Sequence, residues 1–142
     1  MNISGIKLRK IKCTRCSRLA EIANTQSKQK NGLVTAYCYN QDHRRIKIRV
    51  ILNSKIPRTI RSNRMKSTLE YDDEFNMRRL KCVLCGEKLD FDKKGSYQGG
   101  GKILGYCYNN EKHRLKINIF SKLMSEPDFD ELQEVIVKQS DR

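Results

Sequence analysis

Sliding the sequence against itself by 69 residues superposes Cys13, Cys16 and Cys38 on Cys82, Cys85 and Cys107 without a gap. Whatever structure one segment adopts, its copy must be able to adopt as well, so the repeat constrains the fold more than any other feature. The match extends outward: "IKLRKIKC" (6–13) lies over "FNMRRLKC" (75–82), and "IKIRVI" (46–51) over "LKINIF" (115–120). "YCYNQDHRR" (37–45) and "YCYNNEKHR" (106–114) contain the only two histidines. Each unit runs for about 46 residues, roughly 6–51 and 75–120.

Period-two alternation marks strands with one wet face. Ile46, Ile48 and Val50 alternate with Lys47 and Arg49, as Leu115, Ile117 and Ile119 do with Lys116 and Asn118. "GLVTAYC" and "GKILGYC" read as the preceding strands, entered through loops containing Asn31-Gly32 and Gly99-Gly100-Gly101. "RLAEIAN" (18–24) and "EKLDFD" (87–92) supply a third strand in each unit. Three short strands make too little core to stand alone, and with 37% hydrophobic residues and no Trp the chain has little material for one large core.

The cysteines supply the missing staple. Each unit reads C-x2-C, 21 residues, then C-x4-H in the first and C-x5-H in the second. Two close ligand pairs separated by a hairpin-length insertion are what a tetrahedral zinc site needs, each pair on one tight knuckle. The expected ligands are Cys13, Cys16, Cys38 and His43 in one site and Cys82, Cys85, Cys107 and His113 in the other, giving two structural Zn2+ per chain. His113 lies over Arg44 in the 69-residue register, so the imidazole has slid by one position between the copies. Disulfides, an iron–sulfur cluster or a redox C-x-x-C compete for the same thiols, but none accounts for the repeated histidine. Three thiolates around each zinc leave a net −1 per site, which Arg15, Arg18, Arg44 and Arg114 lie close enough in sequence to offset. With the metal sites filled, no carboxylate–histidine or cysteine–histidine pair remains for catalysis, so the chain is not expected to be an enzyme and no small-molecule substrate is expected.

The formal charge of +14 points to a polyanionic partner, although a merely soluble surface is the plainer alternative. Residues 1–68 carry 17 Lys/Arg against 2 Asp/Glu, whereas residues 125–142 carry 2 against 6. The expected phosphate contacts are Lys7, Arg9, Lys10, Arg44, Arg45, Lys47 and Arg49 on the first unit, with Arg58, Arg61 and Arg64 on the linker. Tyr37/Tyr106 and Tyr39/Tyr108 flank the third cysteine and point to the face opposite it, either packing over the core or stacking on bases. No apolar run is long enough to span a bilayer and no secretion signal stands at the N-terminus, so an intracellular location, cytoplasm or nucleoid, and no membrane partner are expected.

The organisation expected is a basic first ribbon unit (1–53), a linker that turns from basic to acidic (54–74), a second ribbon unit (75–124) and an acidic amphipathic C-terminal helix (125–142). For that helix Ser125 serves as N-cap and Pro127 sits in the first turn, with Asp128 and Asp130 near the positive end of the dipole. Phe129, Leu132, Val135 and Ile136 form its apolar stripe, which packs on the second unit or docks a protein partner. The fold class is thus small, metal-stabilised and β-rich: two tandem three-stranded zinc β-ribbons plus a helix.

The knuckles carry a resemblance. "C-x-x-C … Y-C-x-N-x-x-H" across 13–43 resembles the Ogr/Delta family of phage late-transcription activators, whose second knuckle is C-x-N-x-x-C and in which a fused two-unit form occurs. "LKCVLCGEKL … GYCYN" across 80–109 is similar to the zinc β-ribbon of large serine recombinases. Both families place cysteine where this chain has His43 and His113, and no recombinase catalytic domain is present. The resemblance implies nucleic-acid binding, DNA favoured over RNA, in transcription or its regulation. A protein-interaction adaptor, docking on a larger nucleoprotein machine such as RNA polymerase or the ribosome, is the alternative.

Overall fold

A computed structural model describes residues 10–27, 32–41, 44–52, 80–97, 102–108, 114–123 and 128–140. Their strands are β1 (Glu21–Ile22), β2 (Leu33–Cys38), β3 (Ile46–Leu52), β4 (Asp90–Tyr97), β5 (Lys102–Tyr108), β6 (Arg114–Leu123) and β7 (Glu131–Gln139). They join in one seven-stranded sheet in the order β1-β2-β3-β7-β6-β5-β4. The alternation seen in the sequence sets the faces. Ile46, Ile48, Val50 and Leu52 of β3 and Leu115, Ile117 and Ile119 of β6 are buried on an inner face, which also carries Cys38 and Cys107.

Residues 10–20 and 80–89 close over that inner face as two knuckles. Each is pinched by an isolated bridge, Lys12 to Leu19 and Lys81 to Lys88. The knuckles also grip each other, the Lys12 N–H donating to the Val83 carbonyl at 2.7 Å and the Lys81 N–H to the Thr14 carbonyl at 2.6 Å. These two bonds exchange under the 69-residue shift, so an internal two-fold axis relates the units. Ile11, Val34, Ile48, Val83, Ile117 and Val135 belong to a single core cluster spanning both copies. Two separate small cores, as the composition suggested, are therefore not what forms.

The C-terminal segment overturns the helix expected there. Glu131–Gln139 is a strand, parallel to β3 and antiparallel to β6, and the described residues contain no helix beyond the short 3-10 turn Asn24–Gln26. Val135, Ile136 and Val137 are consecutive β-branched residues that favour extended backbone. More decisively, β3 and β6 would each present an unpaired edge without it, and one strand between them satisfies both ladders. The supposed helical stripe is divided accordingly: Val135 faces the core, while Leu132 and Ile136 lie on the outer face. Phe129 instead stacks on Tyr37, with ring centroids 4.7 Å apart.

Register places the axis. Val50 and Ile119, equivalent residues of the two units, both pair with Val135. Further out, the Asp130 N–H donates to the Arg45 carbonyl and, equally far beyond Val135, the Ser140 N–H donates to the Arg114 carbonyl, each at 3.0 Å. Close packing differs between the copies in a complementary way. A Cβ added to Gly105 would lie 2.9 Å from the Leu89 Cβ, whereas the corresponding pair in the first unit is Ala36 with Ala20.

Candidate metal centres and the surfaces around them

The six cysteines gather into two groups, Cys13–Cys16–Cys38 and Cys82–Cys85–Cys107, each with its sulfurs within 4.8 Å of one another. None is in a disulfide. The Cys16 and Cys38 sulfurs are 3.8 Å apart and those of Cys85 and Cys107 3.5 Å apart. Tetrahedral thiolates at ~2.3 Å from a zinc ion would be ~3.8 Å from each other, so the spacing fits a shared cation and is far beyond a disulfide bond. Either group can hold a metal ion. His43 and His113, the expected fourth ligands, lie outside the described residues.

Local backbone explains the geometry. In each knuckle the residue after the second cysteine turns with positive φ, 61° at Ser17 and 81° at Gly86, and its N–H returns to the carbonyl of the first cysteine at 2.9 and 2.8 Å. The amides of Arg15 and Leu84 point at the sulfurs of Cys13 and Cys82, at 3.5 and 3.4 Å. A hydrogen bond shared with the Cys38 sulfur, followed by burial, pushes the Cys13 thiol far above its ordinary range, and one shared with Cys107, followed by burial, does the same to Cys82. Burial leads in raising Cys85. Such thiols keep their protons until a dication supplies the compensating charge, so loading a metal ion here would release protons.

The first knuckle also clamps β7. Arg15 is ion-paired with the fully buried Glu131, Gln133 donates to Glu131 at 2.7 Å, and Thr14 donates to Gln133 at 2.6 Å. The related positions in the other half are Leu84, Gln139, Val137 and Val83, so that half has no such network. Arg15 therefore serves β7 directly. Sequence reasoning missed this set because its members are distant in the chain; the one available signal was polar residues interrupting a β-branched segment.

The predicted phosphate contacts fare unevenly. Lys10 is exposed, and Arg44 and Lys47 are half-buried. Arg45 binds Asp130 through its backbone N–H at 3.1 Å and its guanidinium at 3.2 and 3.3 Å, and Arg49 is paired with Glu134 at 3.8 Å. The Arg45 guanidinium holds the Asp130 carboxyl below the usual carboxylate range. Lys7, Arg9, Arg58, Arg61 and Arg64, with the whole expected linker, lie outside the described residues. The structure adds cations that were not among the predicted phosphate contacts: Arg114, Lys116, Lys122 and Lys138 share the outer face with Lys47 and Arg49. Among the described residues, no helix is long and apolar enough to cross a membrane.

No family model, curated protein or solved structure matches this chain.

Proposed function

We propose that the protein binds nucleic acid through a cationic sheet face held in shape by two structural zinc ions. The observation that carries this reading is the charge layout of the outer face. Lys47, Arg49, Lys102, Lys116, Lys122 and Lys138 lie on the inner strands of the sheet, against Glu134 alone, while edge strand β1 carries Glu21 and edge strand β4 carries Asp90 and Asp92 with Lys93 and Lys94. A basic stripe along the inner strands suits a polyanion lying across the sheet.

Zinc is the metal that fits a thiolate-rich tetrahedral set without redox chemistry, and calcium or magnesium would call for oxygen ligands. With a histidine as fourth ligand each site is closed, and its contribution is folding free energy rather than catalysis. DNA and a role in transcription are the narrower form of the proposal, supported by the knuckle resemblance. The adaptor alternative draws less support, because β7 is hydrogen-bonded on both sides instead of being presented to a partner.

The test is equilibrium binding of the zinc-loaded chain to labelled duplex and single-stranded DNA and RNA across a salt series. Affinity that falls steeply between low and moderate salt is expected, since released counterions drive phosphate binding. Absence of binding to every form, or affinity indifferent to salt, refutes the proposal.

A further inference from the structure

Resting on the nucleic-acid reading, we propose that the second half of the outer face is the binding site and that its ligand is single-stranded nucleic acid, with Lys116 and Lys138 taking phosphates and Tyr108 stacking a base. The two halves are built alike but charged differently. In the first half the acids of the C-terminal segment are spent on neighbouring arginines: Asp130 on Arg45, Glu131 on Arg15, Glu134 on Arg49. In the second half no ion pair joins Arg114, Lys116 or Lys138 to an acid among the described residues.

Lys116 and Lys138 stand directly opposite each other on β6 and β7. Like charges so placed repel at a Cβ separation of about 5 Å, and a phosphate between them turns that repulsion into a two-ammonium grip. The related pair in the first half is Lys47 with Leu132, which has no such repulsion.

Aromatic rings complete the site. Tyr106 is opposite Lys116 and Tyr108 opposite Arg114, and the two rings lie parallel with centroids 6.0 Å apart. Tyr108 is 42% exposed at the end of this row. The first half shows what such a row accepts. There Phe129 lies on Tyr37 and near Tyr39, and the neighbouring Asp130 carboxylate binds Arg45. A ring on the tyrosines and an anion on the adjacent arginine are the two elements of a nucleotide, supplied internally by the chain. At the position related to Asp130 the second half has Ser140, which carries no charge, its N–H bonded to the Arg114 carbonyl as that of Asp130 is to the Arg45 carbonyl.

A single strand fits better than a duplex because face-on stacking needs an unpaired base, and the described residues include no α-helix to enter a groove. The exposed Asp90, opposite Tyr106 on its β4 side, directs phosphates away from that edge and toward β6 and β7.

The decisive experiment uses the full zinc-loaded chain, with fluorescence anisotropy on a labelled oligo-dT and oligo-rU of 12 nucleotides and on a duplex of the same length. The Lys116→Gln/Lys138→Gln double variant is expected to bind the single strands at least tenfold more weakly, with a salt slope reduced by about 1.4, while melting no lower than the parent because a repulsive pair has been removed. Tyr108→Ala should weaken binding by roughly five- to hundredfold, and Tyr39→Ala should leave it unchanged. If the parent binds nucleic acid but the double variant and Tyr108→Ala bind as tightly, or the duplex is preferred tenfold or more, this site assignment is wrong while the broader reading stands. Failure of the parent to bind any of the three overturns both.

Discussion

Val50 and Ile119 lie 69 residues apart in the chain and share one partner, Val135, at the centre of β7. A single strand on the axis of an internal two-fold cannot itself be symmetric. Its backbone meets equivalent ladders either way round, since β3 and β6 run in opposite directions on its two sides. Something other than the ladder must decide which way it points. The buried polar set does so: reversed, Glu131 and Gln133 would face the half that contains Leu84 and Val83 and lose Arg15 and Thr14 as partners.

The Arg15–Glu131 pair is therefore expected to be costly to break and cheap to replace. Glu131→Ala leaves Arg15 buried without its carboxylate and should destabilise the chain by about 3–5 kcal/mol. Arg15→Met combined with Glu131→Gln removes both charges while leaving an acceptor for Gln133, and should cost no more than about 1 kcal/mol. Denaturant melts of the two variants and of each single change would supply the coupling energy; equal losses for Glu131→Ala and the double variant would remove the pair from its deciding role.

The second asymmetry lies where the knuckles meet. A Cβ on Gly86 would approach the Ser17 Cβ to 3.1 Å, and Gly86 sits at a φ of 81°. The axis brings equivalent positions together there, so only one of them has room for a side chain. Gly86→Ala should cost about 1–3 kcal/mol from left-handed strain and overlap. Adding Ser17→Gly opens the space and should recover part of that loss, because residues in contact couple non-additively. Strict additivity in thermal melts of the four-member cycle would show that the knuckles do not touch at this point in solution.

Much of this was legible in the sequence, and the exceptions have physical causes. The thiol groups could be read because each C-x-x-C pair is local, β3 and β6 because each alternates apolar with polar residues, and β2 and β5 because each is a largely apolar run entered from a glycine-containing loop. β7 could not. Its inner face carries Glu131 and Gln133 ahead of Val135 and Val137, so the hydrophobic period is interrupted where the polar partners come from Thr14 and Arg15 at the other end of the chain. Ser125, Pro127 and the early acids supplied a helix-start pattern, and tertiary pairing with two open strand edges outweighed it.

Packing at Leu89 yields another test. Gly105→Ala places a Cβ 2.9 Å from that of Leu89, closer than van der Waals contact allows, and should cost about 1–3 kcal/mol. The first unit supplies the remedy, since Ala36 faces the same role with Ala20 in place of leucine. Gly105→Ala with Leu89→Ala should therefore lose less than the sum of the single changes. Urea unfolding midpoints decide it: a double variant as weak as that sum would mean the overlap is relieved elsewhere.

Metal removal should be the largest perturbation of all. Chelation withdraws a contribution on the order of 10 kcal/mol per site, more than the chain's core is expected to cover, so loss of both ions should abolish the cooperative melt. Native mass spectrometry should show two zinc ions per chain, with Cys38→Ser and Cys107→Ser each binding one tightly. The pH dependence follows from the raised thiols. The metal-free state holds their protons and the loaded state does not, so lowering the pH favours release and raising it favours binding. With three thiols protonated in the free site, apparent affinity should change by up to roughly a thousandfold per pH unit. Competition with a chromogenic chelator between pH 6 and 8 measures this slope, and an affinity independent of pH would mean that the thiols are not the ligands.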